Sequence, residues 1–305
     1  MEKAVQPRVF IVTPIFNRRE HTIEFLKTVF ENSYRNFTMV IVDDGSTDGS
    51  AELIKKKYPK TVVLPGTGNM YWTGATNMGV AYALEHGADF VITVNNDVEV
   101  RPHWIEELVK CAHDNPKSLV GTLIYFMDDR ERVWYSGADF DFNNHDIYHC
   151  ELKPKDATPI ESKWLTGMGV LIPAEVFKKI GLYDQKTFPQ YFADADFSLR
   201  AAQAGFRLLV CPKAVLYNDA SSDSGGKLMR EYKLKAVSNI LFKPYFNDSI
   251  KIRYRFYKRY FGEDYKKHLR KYYARRWKTF YSPYVRYSIR LKVISLAKKM
   301  GIKRK

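Results

Sequence analysis

The stretch that most constrains the fold is Val91–Val100, VITVNNDVEV, an apolar run that ends abruptly in Asn95, Asn96 and Asp97. Apolar residues at successive positions put hydrophobic surface on both faces of a strand, which suits a parallel sheet covered on each side. A carboxylate at the carboxyl end of such a strand stands where open α/β sheets bind ligands. From these residues alone two readings stay open. Asn95 and Asn96 form a turn and Asp97 caps a helix over Trp104–Ala112, or the three residues border a metal or phosphate site.

Around this run, strand-length apolar segments alternate with helical patterns. Val9–Thr13 precedes a loop with Pro14, Phe16 and Asn17 and a helix over His21–Asn32, whose Ile23, Leu26, Val29 and Phe30 share a face. Met39–Val42 ends in Asp43, Asp44, Gly45, Ser46, Thr47 and Asp48; a helix over Ser50–Tyr58 and a strand over Thr61–Leu64 follow. The alternation predicts a parallel sheet flanked by helices, with carboxylates gathered at strand ends.

Gly66–Gly79, GTGNMYWTGATNMG, is expected to be a glycine loop leading into a helix through Ala81–His86. It has neither the GxGxxG nor the P-loop spacing, yet amides at the start of that helix are candidates to face a phosphate. After a strand at Leu119–Phe126, residues 127–162 read as polar loop with short antiparallel strands. Their aspartates, with His145 and His149, read as surface groups. Trp164–Ile172 returns to strand. Tyr191–Arg200, YFADADFSLR, opens a helix that Gly205 ends, with Asp194 and Asp196 at its amino end, where negative charge suits the helix dipole. One aspartate suffices as a cap, which leaves the other to project into a cleft.

Four features thus occur in one order: the Pro-x-Phe-Asn loop, VDDGSTDGS, NND at a strand end, and ADADFSLRAAQAGF. Together they resemble the family 2 glycosyltransferases, nucleotide-sugar-dependent enzymes of the GT-A fold, and among them the bacterial rhamnosyltransferase-like members. The resemblance covers about Val9–Gly226. It implies a Rossmann-like, mixed but mainly parallel sheet flanked by helices. It also implies that Asp43 or Asp44 holds the nucleotide base or ribose, beside Pro14 and Phe16, and that Asn77 and Gly79 belong to the donor segment.

By the same resemblance Asn95, Asn96 and Asp97 stand in place of the DxD motif, with Asp97 as ligand to Mg²⁺ or Mn²⁺. ADAD stands in place of EDxD, with Asp194 as general base and Ala193 where the leading Glu is expected. In the segment LYNDASSDSGG, Asn218 takes the position at which the family often has a His, so the cation is expected to bind weakly until the donor diphosphate arrives. Trp164, Gly167 and Arg200 are candidates to line the donor or acceptor cleft. The implied reaction is an inverting, one-step transfer from a nucleoside diphosphate sugar to a glycan or lipid-linked acceptor. L-Rhamnose from dTDP-rhamnose is the first candidate and a UDP-hexose the second. A non-catalytic nucleotide-sugar or glycan binding module is the alternative class. A nucleotidyltransferase lacks its glycine- and lysine-rich phosphate loop here.

Charge divides the chain in two. Residues 227–305 hold 25 Lys and Arg against 4 Asp and Glu, whereas the first 226 hold 24 against 30. The basic part also carries 17 of the 45 aromatic residues, with Tyr254, Tyr257, Phe261 and Tyr265 at helical spacing, continued by Leu269, Tyr272, Tyr273, Trp277, Phe280 and Tyr284. We therefore expect a GT-A domain over 1–226 and a basic, aromatic, helical region over 227–305. An anionic membrane surface is the expected partner of that region, an appendage packed on the first domain or on a second copy of the chain is the competing reading, and nucleic acid is not expected because the acidic front repels it. Cys111, Cys150 and Cys211 lack metal or disulfide spacing, and neither a signal peptide nor a membrane span is visible. These features suit a cytoplasmic enzyme peripheral on the inner face of the cell membrane.

Overall fold

The computed structural model describes residues 6–220 and 234–299. Strands β1 (Val9–Ile15), β2 (Phe37–Asp43) and β3 (Val62–Pro65) alternate with helices α1 (Arg19–Phe30) and α2 (Ser50–Lys57), and α3 (Tyr71–Glu85) leads to β4 (Phe90–Thr93). After β5 (Val98–Val100) and α4 (Trp104–Asp114) come β6 (Ser118–Phe126), β7 (Val133–Tyr135), β8 (Ala138–Asp141), β9 (Asp146–His149), β10 (Ile160–Glu161) and β11 (Val170–Pro173). Helices α5 (Ala174–Ile180) and α6 (Ala193–Gln203) precede β12 (Arg207–Asn218).

Among the described residues, ten strands form one sheet with the path β10, β12, β6, β11, β4, β1, β2, β3; β5 joins β12 and β7 joins β6. β1 is parallel to β2 and β4, β2 to β3, and β6 to β12, whereas β11 is antiparallel to both its neighbours. This is the mixed, mainly parallel sheet expected from the alternation. Ile15 pairs with Asp43 and Asp43 with Pro65, so three carboxyl ends lie level and the loops after them open on one edge.

Two elements depart from the sequence reading. The Val91–Val100 run leaves the first strand before Asn95, as its polar end suggests, but it also holds a second strand: β4 stops at Thr93, and β5 re-forms beyond Asp97 to pair antiparallel with β12. Three consecutive polar side chains buried within a strand need partners. Residues 95–97 find theirs on elements beside the sheet, and the chain leaves the ladder to reach them.

The second departure is α3, which begins at Tyr71, so most of the supposed glycine loop is helix. Glycine disfavours helix interiors, but close packing overrides that here. A Cβ on Gly79 would lie 2.4 Å from Val12 Cγ1 and 3.1 Å from Val42 Cγ2. Only a residue without a side chain lets α3 sit so close to β1 and β2.

The helix start is secured from far along the chain. Asp44 accepts the amides of Gly68, Met70 and Tyr71 at 2.7, 2.8 and 3.2 Å. Gln190 Oε1 accepts that of Trp72 at 2.8 Å, and the Pro189 carbonyl that of Thr73 at 3.1 Å. These are the amides that helix geometry leaves without internal acceptors. All are engaged by protein, which corrects the expectation that they face a phosphate.

The chain divides into two compact units, one of Met1–Phe140 and Ile147–Ala220 and the other of Asp141–Asp146 and Ser221–Lys305. The expected boundary near Gly226 lies outside the described residues. The second unit contains α7 (Leu234–Phe242), α8 (Ile250–Tyr260), α9 (Tyr265–Arg276), a π-helical turn at Trp277–Tyr281 and α10 (Ser282–Lys299). Its core includes Ala236, Val237, Ile240, Phe246, Tyr281 and Tyr284.

The aromatic stripe read from periodicity is only partly buried. Tyr257, Phe261, Tyr272 and Tyr284 face inward, but Tyr254 and Trp277 are exposed. The break between α8 and α9 and the π turn shift the helical phase, so one face is not sustained. No helix among the described residues is long and apolar enough to cross a membrane.

Candidate active site

The loops at the carboxyl ends of β1 and β2 are stitched together. Asn17 donates its backbone amide to Ser46 Oγ at 2.9 Å, and Asn17 Oδ1 accepts the Thr47 amide at 2.7 Å. Beside this seam Phe16 is 56% exposed, a free ring face next to the strand end that carries Asp43. Pro14 lies within β1. The two aspartates separate by role. Both oxygens of Asp44 hold the start of α3, whereas Asp43 Oδ1 accepts the Ser46 amide at 2.8 Å and its other oxygen takes no hydrogen bond within the described residues. Asp43 is thus the member of the pair with acceptor capacity left for a ligand.

Each residue of the Asn95–Asp97 stretch is tied to a different partner. Asn95 Oδ1 accepts Trp72 Nε1 at 2.9 Å, and Asn96 Nδ2 donates to Thr22 Oγ1 at 2.8 Å. Arg18 Nη1 donates to Asp97 Oδ2 at 2.6 Å. Asn96 is therefore buried and serves to lock α1 to the strand end. Next door, the Asp219 amide donates to the Asp97 carbonyl at 3.0 Å, and His21 Nε2 lies 3.8 Å from Asp219 Oδ2. Asn218 is buried at the end of β12. Residues 221–226 of LYNDASSDSGG lie outside the described residues.

Asp194 occupies the first turn of α6, after Phe192 in a left-handed conformation at φ 67°. Its Oδ2 accepts the Gly167 amide at 3.0 Å and its Oδ1 the Ala195 amide at 2.9 Å. Asp194 as a residue is half-buried. Burial pushes its carboxyl up from the ordinary aspartate value, only partly opposed by the two amides. A base with a raised pKa and one open side accepts a proton more readily than an exposed carboxylate.

Asp196, two residues on, is fully buried and pairs with Arg200 Nε at 2.9 Å. Arg200 also donates to the carbonyls of Ile180 and Leu182 at 2.8 and 2.9 Å. It fixes the 180–182 loop.

Trp72 joins the two acidic sites. Its indole N–H holds Asn95, and its ring passes so close to Gly167 that a Cβ there would fall 2.6 Å from Cζ2. Gly167 in turn donates to Asp194. One half-buried ring thus spans from the strand end before Asp97 to the backbone that positions Asp194. The local sequence gives no sign of it, because Trp72 falls in the stretch that reads as a glycine loop; its partners lie 23 and 95 positions away.

Three other candidates sit in packing. Asn77 donates to the Tyr183 carbonyl at 2.9 Å and to Gln185 Oε1 at 3.0 Å, and accepts the Tyr183 amide at 3.0 Å. Its amide holds the 183–185 loop, and Gly79 lies against β1 and β2. Trp164 is buried, with its ring centroid 5.1 Å from that of His149. Burial pushes His149 down to about 4, so its ring is neutral at physiological pH.

The profile described as Glycosyl transferase family 2 matches residues 10–181, more than half of the chain. The chain belongs to this family. As a family 2 glycosyltransferase it is 26% identical over 237 residues to the N-acetylglucosaminyl-diphospho-decaprenol L-rhamnosyltransferase of Mycobacterium tuberculosis, covering 70% of this chain and 76% of that protein. It is 27% identical over 139 residues to dTDP-rhamnosyl transferase RfbF of Shigella flexneri, covering 45% of each.

Among solved structures the glycosyltransferase resembles GalNAc-T7, crystallised with UDP, GalNAc and Mn²⁺, with a TM-score of 0.61 at 17% identity over 88% of this chain and 55% of that one. S. aureus TarS gives a TM-score of 0.55 at 15% identity, over 84% of this chain and 44% of that one. The chain thus spans little more than half of the first and under half of the second. These likenesses establish the GT-A fold.

The donor atoms around Asp97 can be tested against a divalent cation. Among the described residues no three His, Cys, Asp or Glu side chains converge on one point. Asp97 and Asp219 supply hard oxygens on adjoining strand ends. One or two carboxylates, completed by phosphate oxygens and water, make the ligand set that suits Mg²⁺ or Mn²⁺ better than a protein-only cage. The residues fit a cation that arrives with its diphosphate.

Proposed function

We propose that this family 2 glycosyltransferase inverts the anomeric centre as it moves L-rhamnose from dTDP-rhamnose to a cell-surface polysaccharide or lipid-linked glycan. The observation that carries the reading is the pair of acidic sites joined through Trp72: a raised-pKa carboxylate, Asp194, on one side and Asp97 with Asp219 on the other. That is the arrangement a single displacement needs, with a base for the incoming hydroxyl and an anchor for the departing diphosphate.

In this account Phe16 and Asp43 bind the nucleoside, the ring by stacking and the carboxylate by accepting a base or ribose donor. Asp194 takes the proton of the acceptor hydroxyl as it attacks, since a neutral hydroxyl is a poor nucleophile. Asp97 and Asp219 would hold a divalent cation, which when bound supplies electrostatic stabilisation of the leaving nucleoside diphosphate. Trp72 and the Gly167 amide keep Asp194 oriented. Support for the sugar comes from the two rhamnosyltransferase relatives, and support for the lipid-linked acceptor from the first of them.

The test is release of nucleoside diphosphate from a panel of nucleotide sugars with Mn²⁺, followed with and without saccharide acceptors. dTDP-rhamnose is expected to turn over fastest. Preference for a UDP-hexose would replace the sugar assignment, and binding of every donor without turnover would replace the enzyme by a binding module.

We also propose that residues 1–226 are the catalytic part and 227–305 a peripheral attachment to the inner face of the cell membrane. In the second unit Trp277, Tyr287, Ile289 and Leu291 are exposed among Lys278, Arg286, Arg290 and Lys292, a mixture of interfacial aromatics and cations that suits anionic lipid headgroups. The full chain should co-sediment with phosphatidylglycerol vesicles and lose that binding in high salt. Equal binding to neutral phosphatidylcholine vesicles would contradict the electrostatic account, and a salt-resistant dimer without vesicle binding would assign the surface to a second copy.

A further inference from the structure

The contact between Arg18 and Asp97 is built into the fold. Arg18 immediately precedes α1, and its carbonyl accepts both the amide and the hydroxyl of Thr22, at 2.9 and 2.8 Å. The same hydroxyl accepts Asn96 Nδ2 at 2.8 Å. The backbone of Arg18 and the strand end that carries Asp97 are therefore parts of one hydrogen-bonded unit. What that unit presents is a guanidinium 2.6 Å from a carboxylate, with side chains 30% and 13% exposed. One helical turn further on, His21 faces Asp219. The first turn of α1 thus sets a basic side chain against each of the two acids that the proposed site offers to a cation.

This arrangement has an electrostatic consequence. A divalent cation held by Asp97 would stand beside the Arg18 guanidinium, two positive groups in a partly desolvated site. Repulsion between them is strong where water screens poorly. In the donor-free chain, guanidinium and cation therefore compete for one carboxylate. A diphosphate resolves the competition, because it brings several negative oxygens that satisfy both groups at once. A guanidinium is suited to the exchange, since its planar fork matches phosphate as well as carboxylate.

We propose that Arg18 is the counter-charge of Asp97 in the donor-free chain and becomes a ligand of the donor diphosphate in the loaded one, so that cation and nucleoside diphosphate enter together. The proposal rests on the reading that Asp97 anchors the cation. It assigns to the start of α1 a direct part in leaving-group binding, and it gives Asp97 a counter-charge before the donor arrives.

The experiment is a Mn²⁺ titration of the nucleotide-free full chain, followed by the electron paramagnetic resonance of free Mn²⁺, so that it does not depend on activity. Arg18→Gln should bind Mn²⁺ about tenfold more tightly than the wild type, the change expected when a partly buried competing ion pair is removed. The gain should vanish in the Arg18→Gln/Asp97→Asn double variant. With saturating Mn²⁺, binding of dTDP and of UDP by calorimetry should weaken at least tenfold in Arg18→Gln and recover in part in Arg18→Lys, which keeps the charge and guards against misfolding.

Unchanged or weaker Mn²⁺ binding by Arg18→Gln overturns the proposal, as does unchanged diphosphate affinity. If Asp97→Asn still abolishes nucleotide-dependent Mn²⁺ binding in that case, only the role of Arg18 falls. If Asp97→Asn leaves Mn²⁺ binding intact, the parent reading falls with it.

Discussion

Asp194→Asn is expected to lower sugar transfer by about 10²- to 10⁴-fold, the contribution of a positioned general base, while nucleotide binding stays near normal. The geometry makes the prediction specific. Asp194 accepts one backbone amide on each oxygen and remains partly open, so it is oriented without being sealed. Asparagine keeps the shape but turns an N–H₂ towards one of those amides, a mismatch that costs about 1–3 kcal/mol. Thermal unfolding should therefore be recorded alongside the kinetics, to separate a small stability loss from the large catalytic one.

The pH profile follows from the direction of the shift. Burial raises the Asp194 pKa, and transfer requires the ionised form. The acid limb of kcat should thus lie above the value of about 3.9 for an unburied aspartate, with activity lost as pH falls through it. In Asp194→Asn that limb should disappear from the residual rate.

Asp248→Ala should destabilise the second unit by about 3–5 kcal/mol, the cost of stranding buried charge by removing its partner. Asp248 is buried and accepts Tyr272 Oη at 2.5 Å, Tyr281 Oη at 2.6 Å, and Arg276 Nε and Nη2 at 2.9 and 2.7 Å. Arg253 Nη2, also buried, lies 3.6 Å away, and its Nη1 pairs with Asp146 at 2.6 Å. Because Asp146 still serves Arg253 in the variant, the lower half of the range is the better expectation.

Burial alone would push the Asp248 carboxyl up, but Arg253, Arg276 and the two tyrosine hydroxyls outweigh it and hold it below the usual range. A depressed folded-state pKa gives stability that is present above the unfolded value of about 3.9 and is lost as pH falls through the folded one. Hydrogen exchange of α8 and α9 in the full chain checks both points. Exchange as slow in Asp248→Ala as in the wild type would show that the network adds no stability.

What the sequence made legible follows from the range of the interactions involved. β1, β2 and β6 stand out because strands buried on both faces must be apolar throughout, and the acidic residues after β2 and β4 stand out because open α/β sheets place their sites there. The start of α3 was not legible. Its amides are received by Asp44 and Gln190, the latter 118 positions away, and no local pattern records such a cap. The re-formed strand β5 is hidden for the same reason, since Val98 finds its ladder partner in Asn218, far along the chain.

Chemical type was easier to read than role. ADAD supplies two aspartates in one helical turn, but only packing distinguishes Asp196, consumed by Arg200, from Asp194, left partly open. VDDG likewise supplies two, and the fold commits Asp44 to α3 while Asp43 keeps a free oxygen. Arg18 is not legible locally, because a basic residue beside Arg19 at a helix start reads as solvated surface. Its significance depends on Asp97, 79 positions later.

The most direct test of the central claim, a base-assisted single displacement, is the anomeric configuration of the first product formed from the preferred nucleotide sugar, read by proton nuclear magnetic resonance before it can equilibrate. With Asp194 deprotonating the attacking hydroxyl, the product should carry the configuration opposite to that of the donor. A product of retained configuration would contradict the account.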